Sequence, residues 1–194
     1  MLITVLKIPV YVGATDGLVE KYKHIGPPFH GEDGFGNTKF DKHPDLSKIQ
    51  TDEPACIAML RMVKQSSPGI DTLMNKHLDL KYLFWAQIYN DSWYLHGLPF
   101  STGSITLIGL GPLTNVAACI NADPSFTSRL NSIMLMGGNS HGEGNITVCG
   151  EFNFHADPEA AKVVIDRAEC HLCIAPWETC KNTNITWVIV WFLQ

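Results

Sequence analysis

Apolar and polar positions along this chain fall into short blocks separated by glycine and proline. Residues 8–12 (IPVYV), 105–110 (ITLIGL), 132–136 (SIMLM) and 171–175 (HLCIA) are apolar runs too short for helices, and they read as strands, the first of them buried. Within residues 53–63 (EPACIAMLRMV), Cys56, Ile57, Leu60 and Val63 recur at helical spacing. Pro54 suits a first turn and Pro68-Gly69 ends the element, so this pattern predicts an amphipathic helix. Residues 113–121, just after Gly111-Pro112, are compatible with a second helix. Asp157-Pro158-Glu159 supplies an N-cap, a proline at the first helical position and a first-turn acid, predicting a helix that runs to about residue 168.

Taken in order, the C-terminal half reads β-α-β-α-β. That alternation predicts an α/β fold, with right-handed crossovers and an open, mostly parallel sheet covered by helices on both faces. Ligands of such sheets sit outside the carboxyl ends of the strands, which here feed Gly111-Pro112 and the long segment 137–156. A second irregular stretch, 26–37 (GPPFHGEDGFGN), has prolines at its start and glycines at 31, 34 and 36, so it cannot be helical throughout.

Composition narrows the class of protein. The chain has 194 residues, 45% hydrophobic and 17% charged, enough for one domain with a sizeable core. Its formal net charge is -5 and its 14 basic residues are scattered, which disfavours nucleic acid and anionic membranes as partners. The first stretch lacks a basic region and a small-residue cleavage site, so a cytoplasmic location is expected. The six cysteines then read as reduced thiols. Cys170 and Cys173 form a lone C-x-x-C, for which ordinary packing is a better reading than zinc. Asn90, Asn145 and Asn184 lie in glycosylation sequons that matter only in a secreted protein.

Segment 137–156 (GGNSHGEGNITVCGEFNFHA) is where chemistry is expected. It sets Asn145, Asn153, Glu143, Glu151, His141 and His155 among glycines that let the backbone approach a ligand closely. Carboxamides and carboxylates suit adjacent hydroxyl groups, since a diol both donates and accepts hydrogen bonds, and a ribose is the natural guess. For any one of these residues a solvated polar loop is the plainer alternative; their clustering after a strand is what favours a site. The two histidines have no visible partner and read as exposed side chains. Gly109-Leu110-Gly111 fails as a dinucleotide fingerprint, because Thr114 occupies the third glycine position and Pro112 removes an amide donor. No G-x-x-x-x-G-K, H-E-x-x-H or G-x-S-x-G motif occurs.

Three stretches, 105–117 (ITLIGLGPLTNVA), 132–139 (SIMLMGGN) and 144–164 (GNITVCGEFNFHADPEAAKVV), together resemble the inosine/uridine-preferring nucleoside hydrolase family. Residues 8–14 (IPVYVGA) and 30–37 (HGEDGFGN) resemble its pattern in the same order. The resemblance covers 8–69 and 104–180 of what it implies is a single partial domain over 1–194. It implies a Rossmann-like sheet and hydrolysis of the N-glycosidic bond of purine or pyrimidine ribonucleosides, the small-molecule partner, to ribose and free base. It implies a calcium ion that holds the ribose hydroxyls and activates water, with the Leu110 carbonyl as a metal ligand. By position, Asn145, Glu151 and Asn153 resemble the ribose-binding residues, Met136 a sugar contact, and His30 the histidine near the base pocket.

The departures shape the functional expectation. The family's aspartate-rich first strand, D-x-D-P-G-x-D-D, would precede this chain, and its late histidine-aspartate pair would follow residue 194, so no catalytic residue is assigned. The chain is therefore expected to lack the N-terminal strand and the C-terminal part of the fold, to hold calcium weakly, and to be weakly active or inactive. The alternative is a non-catalytic nucleoside-binding or protein-interaction remnant. Residues 70–103 stand as an atypical, aromatic-rich insertion and 181–194 as a divergent tail too short to span a bilayer. Association into a homo-oligomer through an exposed sheet edge is expected of such a chain.

Overall fold

The structure is a computed structural model that describes residues 9–21, 37, 49–65, 82–83, 86–89 and 105–183. The expected site residue His30, most of 26–37 and the tail 184–194 lie outside them.

The element order begins with β1 (Val10–Tyr11), β2 (Ile49–Gln50), α1 (Ala55–Gln65), β3 (Tyr82–Leu83) and β4 (Ala86–Tyr89). It continues with β5 (Thr106–Gly109), α2 (Thr114–Ala122), a single 3-10 turn at Thr127–Arg129, β6 (Ser132–Met136), α3 (Phe152–Ala156), α4 (Pro158–Arg167), β7 (His171–Ala175) and α5 (Trp177–Asn182). A five-stranded sheet has the order β3-β4-β5-β6-β7, and β1 pairs with β2 separately in parallel. Strands β5, β6 and β7 are mutually parallel, with Leu107, Ile133 and Leu172 in one register row. β3 and β4 form an antiparallel pair added to the β5 edge, so part of the 70–103 segment joins the sheet.

Two successive right-handed crossovers that step in the same direction along a sheet place their helices on the same face. Here α2 and α4 pack on each other and α1 packs on α2. The core they close with the sheet contains Leu107, Ile133 and Leu135 from the strands and Ala58, Met62, Val116, Ile120, Ala160 and Val164 from the helices. Alternation along the strands turns Ile108 and Met134 to the other face. There Met134 is 39% exposed, against 0% for its neighbour Ile133.

The expected α4 ends as drawn from sequence. Asp157 caps it by accepting from the Ala160 amide at 3.0 Å, and Pro158 sits in its first turn. Two expectations are corrected. In its described residues, 9–12, the run at 8–12 is not a buried strand: Val10 and Val12 are about half exposed, and Tyr11 packs against the core. Among the described residues it is a two-residue strand paired to another two-residue strand, too small a sheet to cover both faces. In α1 the buried face is Ala55, Ala58, Met59, Met62 and Val63, whereas Ile57 is 46% exposed. Small alanines at 55 and 58 let the helix approach closely, and the flexible methionines fill the space beside them.

Candidate functional site

Because β5, β6 and β7 are parallel, their carboxyl ends emerge along one edge. Gly109 registers with Leu135, which brings the exposed Leu110 and the half-buried Met136 out at the same level. The chain then turns at Gly137-Gly138. Gly138 has φ +69°, and a Cβ on Gly137 would lie 2.6 Å from the Phe154 ring, so a bulkier residue has no room there.

Glu151 organises the segment that follows. It is 2% exposed and is the N-cap of α3. Its Oε1 accepts from the Asn153 amide at 2.9 Å, and its Oε2 accepts from the Phe154 amide at 3.2 Å and the Gly138 amide at 3.0 Å. Asn153, 6% exposed, donates through Nδ2 to the Met136 carbonyl at 3.0 Å and lies 3.2 Å from its sulfur. The Asn145 Oδ1 accepts from the Phe152 amide at 2.7 Å. Four of the expected site residues, Met136, Asn145, Glu151 and Asn153, are thus joined in one hydrogen-bonded cluster at the carboxyl end of β6. His141 and His155 are both exposed, and the His141 Nδ1 lies 2.9 Å from the Ser140 hydroxyl.

Two acids contribute that the sequence reading left out or saw only in part. Glu178, in the first turn of α5, is 5% exposed. Its Oε2 accepts from the Ser140 amide at 3.0 Å and its Oε1 from the His141 amide at 2.8 Å and the Glu143 amide at 3.3 Å. The Ser140 N–H, aided by the His141 and Glu143 amides, holds the Glu178 carboxyl below its ordinary value of 4.5, at about 2. Asp157 accepts from the Thr114 hydroxyl at 2.6 Å and the Leu18 amide at 2.9 Å besides capping α4. It thereby ties segment 9–21 to the starts of α2 and α4. An acid two residues after Pro176, past a strand end, was the available signal for Glu178; nothing local announces its partners.

Calcium requires six to eight oxygen ligands, usually including several carboxylates. Among the described residues, no group of three or more His, Cys, Asp or Glu side chains could hold a metal ion. The Leu110 carbonyl is one neutral donor, while the Glu151 and Glu178 oxygens are directed at backbone amides. The described residues do not fit a calcium shell.

Fold and site together define an α/β protein with a polar, glycine-rich cluster at the carboxyl edge of a parallel sheet. The chain matches the model of the inosine-uridine preferring nucleoside hydrolase family over residues 1–193, and it belongs to that family. It is 30% identical over 158 residues to a probable uridine nucleosidase 2 of Oryza sativa subsp. japonica, a match covering 81% of this chain and 36% of that protein. It is 48% identical over 64 residues to a putative pyrimidine-specific ribonucleoside hydrolase of Shigella boydii serotype 4, over 33% of this chain and 26% of the relative. Among solved structures it resembles an inosine-guanosine nucleoside hydrolase with TM-score 0.65 and 26% identity, covering 93% of this chain and 46% of that one. The chain thus spans only about a third of the length of the curated relatives it matches. No helix among the described residues is long and apolar enough to cross a membrane.

Proposed function

We propose that this chain binds a ribonucleoside at the carboxyl edge of β6 and that its reaction is hydrolysis of the N-glycosidic bond. Water adds to the anomeric carbon, the carbon–nitrogen bond breaks, and the base leaves with a proton, giving ribose and free base. The observation that carries this reading is the cluster of Met136, Asn145, Glu151 and Asn153. With Oδ1 of Asn145 on the Phe152 amide and Nδ2 of Asn153 on Met136, the Asn145 NH2 and the Asn153 oxygen remain for ribose hydroxyls. A transition state with oxocarbenium character rewards hydroxyl contacts that tighten as the ring flattens. His30, near the base, belongs to the same proposal, as does the Leu110 carbonyl as a calcium ligand.

The donor set argues for weak calcium retention, and hence for weak or no turnover by this chain alone. A second reading, a non-catalytic ribose-binding or protein-interaction remnant, is favoured by the engagement of both Glu151 oxygens with backbone amides. A cytoplasmic location, in which its six cysteines stay reduced, belongs to the same reading. One partial domain over 1–194, with 70–103 as an insertion and 181–194 as a divergent tail, is part of the reading. So is self-association through β7, whose outer edge is unpaired among the described residues.

Inosine and uridine hydrolysis with and without calcium, with Glu151→Ala as control, tests the function. Calcium-dependent ribose release that the substitution abolishes supports the enzyme. Inosine binding without release supports the ribose-binding form of the second reading, and neither binding nor release by folded chain refutes every nucleoside reading and leaves the protein-interaction remnant.

A further inference from the structure

We propose that Glu178 is a positioning residue: from α5 it sets the shape of loop 138–145, which carries Asn145 into the ribose cluster. Loop 138–145 needs an external template. Gly138 and Gly142 both have positive φ, at +69° and +74°, so its backbone is assembled from the residues with the most conformational freedom. Such a loop pays a large ordering entropy unless something outside it fixes the path.

Glu178 supplies that template. It takes the amides of Ser140, His141 and Glu143, and its Oε2 also lies 3.3 Å from the Ser140 hydroxyl. Around it α5 adds two more ties. The Trp177 amide donates to the Gly138 carbonyl at 3.0 Å, and Lys181 Nζ meets the Glu143 carboxylate at 2.5 Å. Within the loop Asn139 donates to the Glu143 carbonyl, closing the turn that Glu178 fills. Two residues further on, the Asn145 amide donates to the Gly150 carbonyl at 3.0 Å and its side chain reaches the Phe152 amide. The loop is therefore gripped at one end by Glu151, through Gly138, and along its middle by Glu178. A buried carboxylate with three amide donors is not a surface cap: replacing it leaves the donors without their acceptor.

The assignment rests on the ribonucleoside reading for its ligand, but not for the clamp itself. The test compares the full chain with Glu178→Gln, which keeps the shape but turns an NH2 group on amide donors, and Glu178→Ala. Amide hydrogen exchange at Ser140, His141 and Glu143 should accelerate at least about tenfold in both variants, while β6 amides stay protected. Inosine affinity, measured well below the thermal midpoints of parent and variant so that both are fully folded, should fall by about tenfold or more, a loss that a purely stabilising residue would not produce. Unchanged exchange at the three amides in the folded Gln variant overturns the proposal. Faster exchange with unaltered inosine affinity overturns it equally. Should the parent chain bind no inosine, the ribonucleoside reading falls, and exchange alone decides whether Glu178 shapes the loop.

Discussion

The Gly138 amide donates to Oε2 of Glu151 at 3.0 Å, so the residue that leaves β6 is bonded to the residue that starts α3, thirteen positions later. The same carboxylate caps α3 through the Asn153 and Phe154 amides. One buried side chain thus closes a loop and starts a helix. Glu151→Gln keeps the volume but sets an NH2 group against amide donors, and it should cost about 1–3 kcal/mol. A lowered urea midpoint with an unchanged m value is the expected result. An unaltered midpoint would mean that the three amides find other acceptors.

Gly137 is fixed by the ring beside it. Alanine there would place its Cβ 2.6 Å from Phe154 Cε1, a contact the ring must yield to. Gly137→Ala should destabilise by about 1–3 kcal/mol through overpacking. Adding Phe154→Leu should recover part of that loss, because the clash is with the ring edge; a double-mutant cycle with no coupling would place the strain elsewhere.

Asp157 connects three pieces of chain through Leu18, Thr114 and Ala160. Asp157→Ala removes all three acceptors at a residue 2% exposed, at a cost of about 1–3 kcal/mol or more. The change should also free segment 9–21, so limited proteolysis should cut near Leu18 sooner in the variant. Equal cleavage rates would show that Ala14, which donates to Asn115 at 2.9 Å, holds the segment without Asp157.

These contacts separate what sequence could and could not reveal. Strands β6 and β7 and the cap of α4 were legible because each depends on neighbours within a few residues: an apolar run stopped by Gly137-Gly138 or by Pro176, or Asp-Pro-Glu before an apolar stripe. The buried face of α1 was not. Nearly every residue of ACIAMLRMV is apolar or small, so periodicity there fixes the element but not its phase, and the contact with α2 chooses Met59 and Met62 over Ile57. Asn145, Glu151 and Asn153 could be singled out as a polar cluster, but their mutual bonds could not. Glu178 was illegible as a partner because its donors lie 35–38 residues earlier.

The two faces of the sheet should respond differently to truncation. Ile133 is fully buried between strands and helices, and Ile133→Ala should cost about 2–5 kcal/mol. Met134, its neighbour on the opposite face, is 39% exposed, and Met134→Ala should fall within about 1 kcal/mol of the parent. Equal losses in chemical denaturation would show that the Met134 face is covered in the folded chain.

The final prediction concerns acid. Glu178 has a folded-state value of about 2, below its ordinary 4.5, chiefly because the Ser140 amide bonds to the ionised form. A depressed carboxyl value means that folding favours the carboxylate, so its contribution is complete above 4.5 and is lost as pH falls through about 2. The loop amides of Ser140 and His141 should therefore keep their chemical shifts from neutral pH through 4.5 and move together only as pH approaches about 2, where protonation removes their acceptor. In Glu178→Gln no group at that position titrates, and both amides should start displaced and stay flat over the same range. A transition centred at or above 4.5 in the parent chain would contradict the hydrogen bonds seen here, because an undepressed carboxyl cannot be one that three amides hold ionised. A matching transition in the Gln variant would assign the titration to another acid, with Glu143 beside Lys181 the first to test by Glu143→Gln.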